Sequence, residues 1–198
     1  MAKDNIFQQI ATGRVANILK NDIITAREWF RQAAQKILNV NVYKLFEDNK
    51  KDLVKSINTS SIGSMFLFNY DPKTKDKLPY YDIFPLIFMI EIYNDGFLGI
   101  NLHYLPPYYR AKLMNALYGI TLKEGDKMKL QVSYRILKSA AKFRLFKPCV
   151  KRYLTSHVQS QFMFIEPEKW DIVLMLPTQR FVKASADQVW KDSVGMGR

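Results

Sequence analysis

The spacing of apolar and polar positions changes several times along the chain, and each change marks an element. Over residues 25–38, Ala26, Trp29, Phe30, Ala33 and Ile37 recur at helical spacing. This predicts an amphipathic helix whose apolar stripe docks on a core. Thr25 with Glu28 fits a T-x-x-E capping box at its start. The polar stretch 40–58 holds two apolar islands, VYKLF and DLVKSI, and reads as a second short helix or a loose connection. After Ser60, Ser61 and Gly63 the period becomes that of strands. Residues 65–70, 84–93, 97–105 and 161–165 are short, aromatic or β-branched runs bounded by turn residues. In the third run Leu98, Ile100, Leu102 and Tyr104 alternate with Gly99, Asn101 and His103, which predicts an apolar face and a polar face. Asn94-Asp95-Gly96 reads as a tight hairpin turn supplied with positive-φ residues.

Pro106-Pro107 stops that third strand, and Pro107 suits the first turn of a helix over 108–118, with Gly119 at its C′ position. Residues 128–143 read as a helix or as a strand followed by a helix. Pro148 forces a break, 149–157 reads as a short helix, and 170–176 as another ended by Pro177. Short antiparallel strands with helices inserted between and flanking them predict an α+β fold, a small antiparallel sheet of the partly open, SH3-like barrel kind. The chain divides into an N-terminal arm (1–24), a single α+β domain (25–177) and a polar C-terminal tail (178–198), the two ends free to order on a partner.

Charge changes the picture more than composition does. The 198 residues carry a formal net charge of +12, which suits a polyanionic partner. Much of it is concentrated: residues 127–165 hold nine Lys or Arg and no Asp or Glu. Arg135, Lys138 and Lys142 fall on one helical face, where like charges cost a few tenths of a kcal/mol each unless a polyanion relieves them. Arg135, Lys138, Lys142, Arg144, Lys147, Lys151 and Arg152 are therefore the candidate contacts to the phosphate backbone of double-stranded DNA. Interleaved aromatic residues, Phe143, Phe146 and Tyr153 among them, are placed to stack on bases exposed at a duplex end. No base-reading motif accompanies them, so the binding expected is not sequence-specific. A solvated basic face, or an anchor on an acidic protein, is the competing interpretation.

Signals for catalysis are poor, and no cofactor is implied. His103 and His157 are the only histidines, and neither has a second ligand at metal spacing. His103 reads as a structural histidine. Cys149 has basic neighbours but no base placed to activate it, so it reads as buried or inert. Asp71, Asp82 and Glu91 could form a magnesium-binding nuclease set. The lysine that commonly follows such a glutamate by two positions is replaced here by Tyr93. There is no phosphate-binding glycine loop. A single cysteine excludes an intrachain disulfide and fits a reducing compartment. No secretory h-region opens the chain, and no apolar run nears the ~20 residues of a membrane span. The protein expected is soluble, without a membrane partner, inside a cell or in a particle assembled there.

Four strings, YDPKTKDKLPYYDIFPL, GFLGINLHYLPPYYRAKLMNALY, FKPCVKRYLTSHVQS and WDIVLMLPT, together resemble the DNA end protector proteins of T-even-type contractile-tailed phages. The resemblance spans roughly residues 25–192, with the blocks in the family's order. It implies a minor virion protein, assembled in the host cytoplasm, that sits on the end of the packaged genome near the head–neck junction and shields it from exonuclease. It brings no catalytic residues and no DNA-contact residues. A structural adaptor of the phage neck, tail or baseplate, joined to other virion proteins through the two arms and without DNA contact, is the alternative.

Overall fold

The computed structural model describes residues 23–121, 137 and 146–196. Residues 1–22 of the arm lie outside the described residues, as does the segment expected to be helical over 128–143, except for Leu137, which is buried in the core. Helices α1 (Ile23–Gln35) and α2 (Val42–Asp48) precede strands β1 (Leu53–Val54), β2 (Met65–Leu67), β3 (Tyr81–Asp82), β4 (Leu86–Tyr93) and β5 (Gly96–Asn101). Helix α3 (Pro107–Thr121) follows, then β6 (Val150–Leu154), β7 (Phe162–Ile165), α4 (Trp170–Val173), β8 (Phe181–Val182) and α5 (Ala186–Met196).

The fold is α+β. Six strands form one antiparallel sheet in the order β1-β7-β2-β4-β5-β6, and β3 pairs with β8 in a separate two-stranded ladder. The sheet stays open at β1 and β6 rather than closing into a barrel. Its four inner strands are the four that hydrophobic patterning picks out.

Strand periodicity divides the inner side chains between two cores. Met65, Leu67, Leu86, Phe88, Ile90 and Ile100 point to one side, where they meet Val42 and Leu45 of α2, Leu113 and Met114 of α3, Ile172 of α4 and Val189 of α5. Phe66, Phe68, Ile87, Met89 and Phe97 point to the other and join Tyr70, Tyr153 and Phe162. There Phe68 lies 5.5 Å from Phe97 and 5.3 Å from Tyr153, both edge-on. Such pairs add about 0.5–1.5 kcal/mol each beyond the area they bury. Helix α1 docks through its apolar stripe, Trp29, Phe30, Ala33 and Ile37, around the fully buried Ala34. Two arginines fix its rotation: Arg27 and Arg31 donate through Nε to the two oxygens of Asp171, at 2.9 and 2.7 Å.

Several local expectations are corrected. Thr25 lies inside α1 and is not its cap. Gly119 lies inside α3 and is not its C′ residue. Among the described residues only Gly63 and Lys183 have positive φ, so the Asn94-Asp95 turn needs none. The third strand ends at Asn101, and residues 102–104 coil into a 3-10 turn. The stretch 149–157 is mainly strand, because β6 completes the free edge of β5 in a five-residue register from Gly96↔Leu154 to Ile100↔Val150. The stretch from Thr178, expected to be a tail, carries β8 and α5, with Thr178, Val189 and Ser193 buried.

Gly96 owes its identity to close approach rather than to φ. A Cβ there would sit 1.9 Å from the Tyr153 carbonyl oxygen and 2.9 Å from its carbon, both backbone atoms that cannot yield without parting β5 from β6. Gly96→Ala is expected to cost about 1–3 kcal/mol, as overpacking does. Urea unfolding would check this; a midpoint equal to wild type would show that the edge strand can shift freely.

Candidate nucleic-acid interface

Of the seven basic residues singled out by charge, Arg135, Lys138, Lys142 and Arg144 lie outside the described residues. Lys147 opens a 3-10 turn and is exposed. Lys151 and Arg152 are consecutive on β6, so they project to opposite faces of the sheet edge. Arg152 already has partners: it forms a short ion pair with Asp95, donates to the Tyr153 carbonyl at 2.8 Å, and lies 4.4 Å from the Tyr93 ring. Lys151 is half-buried, with its Nζ 4.1 Å from the centre of the Tyr104 ring. Among the described residues no carboxylate or carbonyl pairs with it. Burial pushes its pKa down.

Lys151 and Arg152 line a cavity of about 360 Å³ between β6 and the loop that precedes β3. Its walls are tyrosines, Tyr70, Tyr80, Tyr81, Tyr104 and Tyr153, and Lys73 and Thr74 stand exposed at its lip. The lip is held from below. Lys183 Nζ donates to the carbonyls of Lys75, Asp76 and Leu78 at 2.7, 3.2 and 3.1 Å. Burial keeps the Tyr104 and Tyr153 phenols protonated by raising their pKa. Charge alone does not single out Lys73 and the tyrosines, because Asp71 and Asp76 break up the lysines of this stretch and it reads as a charged surface loop. The signal that could have found it is the Tyr-Tyr pair at the loop's end.

The floor is a buried polar network. Asp82 Oδ1 accepts from the amides of Phe84 and Arg180, each at 3.1 Å, and Oδ2 accepts from His103 Nδ1 at 2.6 Å and Asn101 Nδ2 at 3.3 Å. His103 Nε2 meets the Thr178 hydroxyl at 2.9 Å. An Asp–His–hydroxyl line resembles the geometry of nucleophilic catalysis. Here His103 and Thr178 are both 0% exposed, so no substrate reaches the hydroxyl. The polar face expected of residues 99, 101 and 103 is thus buried and internally satisfied rather than wet. Asp82 is fully engaged in this network and Asp71 pairs with Lys75, and no metal-binding group of three or more His, Cys, Asp or Glu occurs among the described residues. Cys149 is buried, which pushes its thiol up to about 12 against the pull of Lys151 and Arg110. No helix among the described residues is long and apolar enough to cross a membrane.

Compared with known proteins, the chain matches one family description, the phage T4 terminal DNA protecting protein, over residues 12–193. No curated protein and no solved structure matches it.

Proposed function

Since the chain belongs to the phage T4 terminal DNA protecting protein family, we propose that it binds double-stranded DNA at or near the end of the packaged genome, without reading sequence, and blocks exonuclease there. The family match across residues 12–193 carries this proposal. The net charge of +12 and the acid-free basic segment 127–165 support it. Arg135, Lys138, Lys142, Arg144, Lys147 and Lys151 would supply the phosphate contacts, which position a protein on DNA without specifying sequence, while Arg152 would have to give up Asp95 to join them. Its role is to occlude rather than to catalyse, consistent with the closed state of the Asp82–His103–Thr178 line. The protein would travel in the virion after assembly in the host cytoplasm. Residues 1–24 and the C-terminal residues 178–198 would contact other virion proteins.

The test is exonuclease digestion of linear duplex with and without saturating protein at low salt. Protection is expected, with log affinity falling against log salt at a slope near about −5 for roughly six phosphate contacts. Neutralising one contact, as in Lys142→Gln, should reduce that slope by about one. Equal digestion rates with and without protein would sink the end-protection proposal and favour an adaptor within the particle.

A further inference from the structure

We propose that the tyrosine-walled cavity between β6 and the 72–80 loop takes the terminal nucleotide of a DNA strand, with the base among the tyrosines and the phosphate on Lys151 and Lys73. This rests on the end-binding role above and names its site.

The first support is Lys151. An ammonium drawn out of water is costly unless an anion compensates it. The Tyr104 ring at 4.1 Å offsets part of that cost through its quadrupole. No carboxylate among the described residues supplies the rest. Its neighbour Arg152 shows the contrast, since Asp95 neutralises it. A phosphate at the rim would complete the Lys151 site, and Lys73 on the lip adds a second positive charge.

The second support is the cavity itself. At about 360 Å³ it lies in the size range of small-ligand sites and admits one nucleotide, not a duplex. Tyr80 and Tyr81, the two half-buried tyrosines of the wall, suit a ligand with a π-face, which favours a nucleotide over an acidic peptide. The floor offers no free charged group to discriminate among bases: both oxygens of Asp82 are engaged by two donors each. Stacking is the interaction left, and every base can stack. A terminal nucleotide enters at the lowest cost, because unpairing it sacrifices only one stacking step. The lip is already held by Lys183, so little needs to be ordered on binding.

The experiment uses the full chain and two DNAs of one sequence, a short blunt-ended, 5′-phosphorylated duplex and the same duplex closed at both ends by hairpins. Affinities are compared at one salt concentration. The open duplex is expected to bind about tenfold tighter or more. Lys151→Met and Lys73→Ala should each shrink that ratio. A photoreactive iodouracil at the terminal position should crosslink to Tyr80 or Tyr81, and the same base placed internally should not. Lys73 is exposed on the lip, so its variant keeps the test open should Lys151→Met fold poorly. If the wild-type end preference persists in both variants, with no end-specific crosslink, the cavity assignment is overturned and end binding stands. If wild type binds both DNAs equally, end binding itself fails and the assignment falls with it.

Discussion

Arg110→Leu is expected to destabilise the protein by about 3–5 kcal/mol, because it strands buried carbonyl acceptors at about 1–3 kcal/mol each. Arg110 is 1% exposed and sits on the first turn of α3. Its guanidinium donates to three carbonyls: Leu105 at 2.7 Å, Leu174 at 2.9 Å and His103 at 3.4 Å. Those carbonyls belong to the end of the 102–104 turn, its middle and the turn after α4. One side chain therefore ties α3 to two other segments. The Trp190 ring of α5 lies 5.7 Å from its centre, and the Trp190 indole donates to the same His103 carbonyl at 2.8 Å. Burial brings the guanidinium down to about 10, with Asp82 pulling the other way, so it stays charged at neutral pH. Leucine fills part of the volume but leaves acceptors stranded at about 1–3 kcal/mol each. Lysine cannot span the three carbonyls, so Arg110→Lys should recover less than half of the loss. Urea unfolding measures both, as a shifted midpoint at unchanged slope. A loss under about 1 kcal/mol for the leucine variant would mean that the carbonyls find other donors.

The same residues explain which parts of the fold were legible in the sequence. The inner strands were readable because both faces of β2, β4, β5 and β7 bury apolar side chains, which leaves uninterrupted runs such as MFL and LIFMI. The edges were not. β1 is two residues long, and β6 reads VKRYL, whose charges belong on an edge and resemble those of a solvated helix. Nor was the Arg110 clamp legible, because a lone arginine in PYYRAKL looks like a surface residue until three carbonyls converge on it. His103 was readable only as a structural residue, and its partners are 21 and 75 positions away. Sequence charge picks out candidate DNA contacts but not their arrangement in space. Both Lys151 and Arg152 line the cavity, but Arg152 is paired with Asp95 and Lys151 is not, a difference that the adjacent letters K and R do not reveal.

Asp82→Ala is expected to cost a similar amount, about 3–5 kcal/mol, because it strands buried donors, and to remove only the low-pH loss of stability that belongs to the Asp82 carboxyl itself. Asp82 is 3% exposed, and its loss strands two backbone amides, the Asn101 amide and the His103 ring. Burial alone would raise its carboxyl. The His103 imidazole and the amides of Arg180 and Phe84 outweigh that and hold it below the usual carboxylate range. His103 is itself held low, first by burial and then by the nearby Arg110 and Arg180, with Asp82 opposing. In its neutral form Nδ1–H donates to Asp82 and Nε2 accepts from Thr178, so every polar atom of the ring is satisfied. Below about 6.5 the unfolded chain protonates this histidine more readily than the native protein does, so the unfolded state binds more protons and stability falls as pH drops. The slope approaches about 1.4 kcal/mol per pH unit for one proton. At still lower pH the stability supplied by the depressed Asp82 carboxyl is lost as pH falls below the ordinary carboxylate range and through its native value. Urea midpoints taken between pH 7.5 and about 5 should therefore decline in wild type. They should decline much less in His103→Gln, which keeps a donor toward Asp82 but cannot titrate. An equal decline in that variant would assign the acid sensitivity to another group and leave His103 a purely steric part of the network.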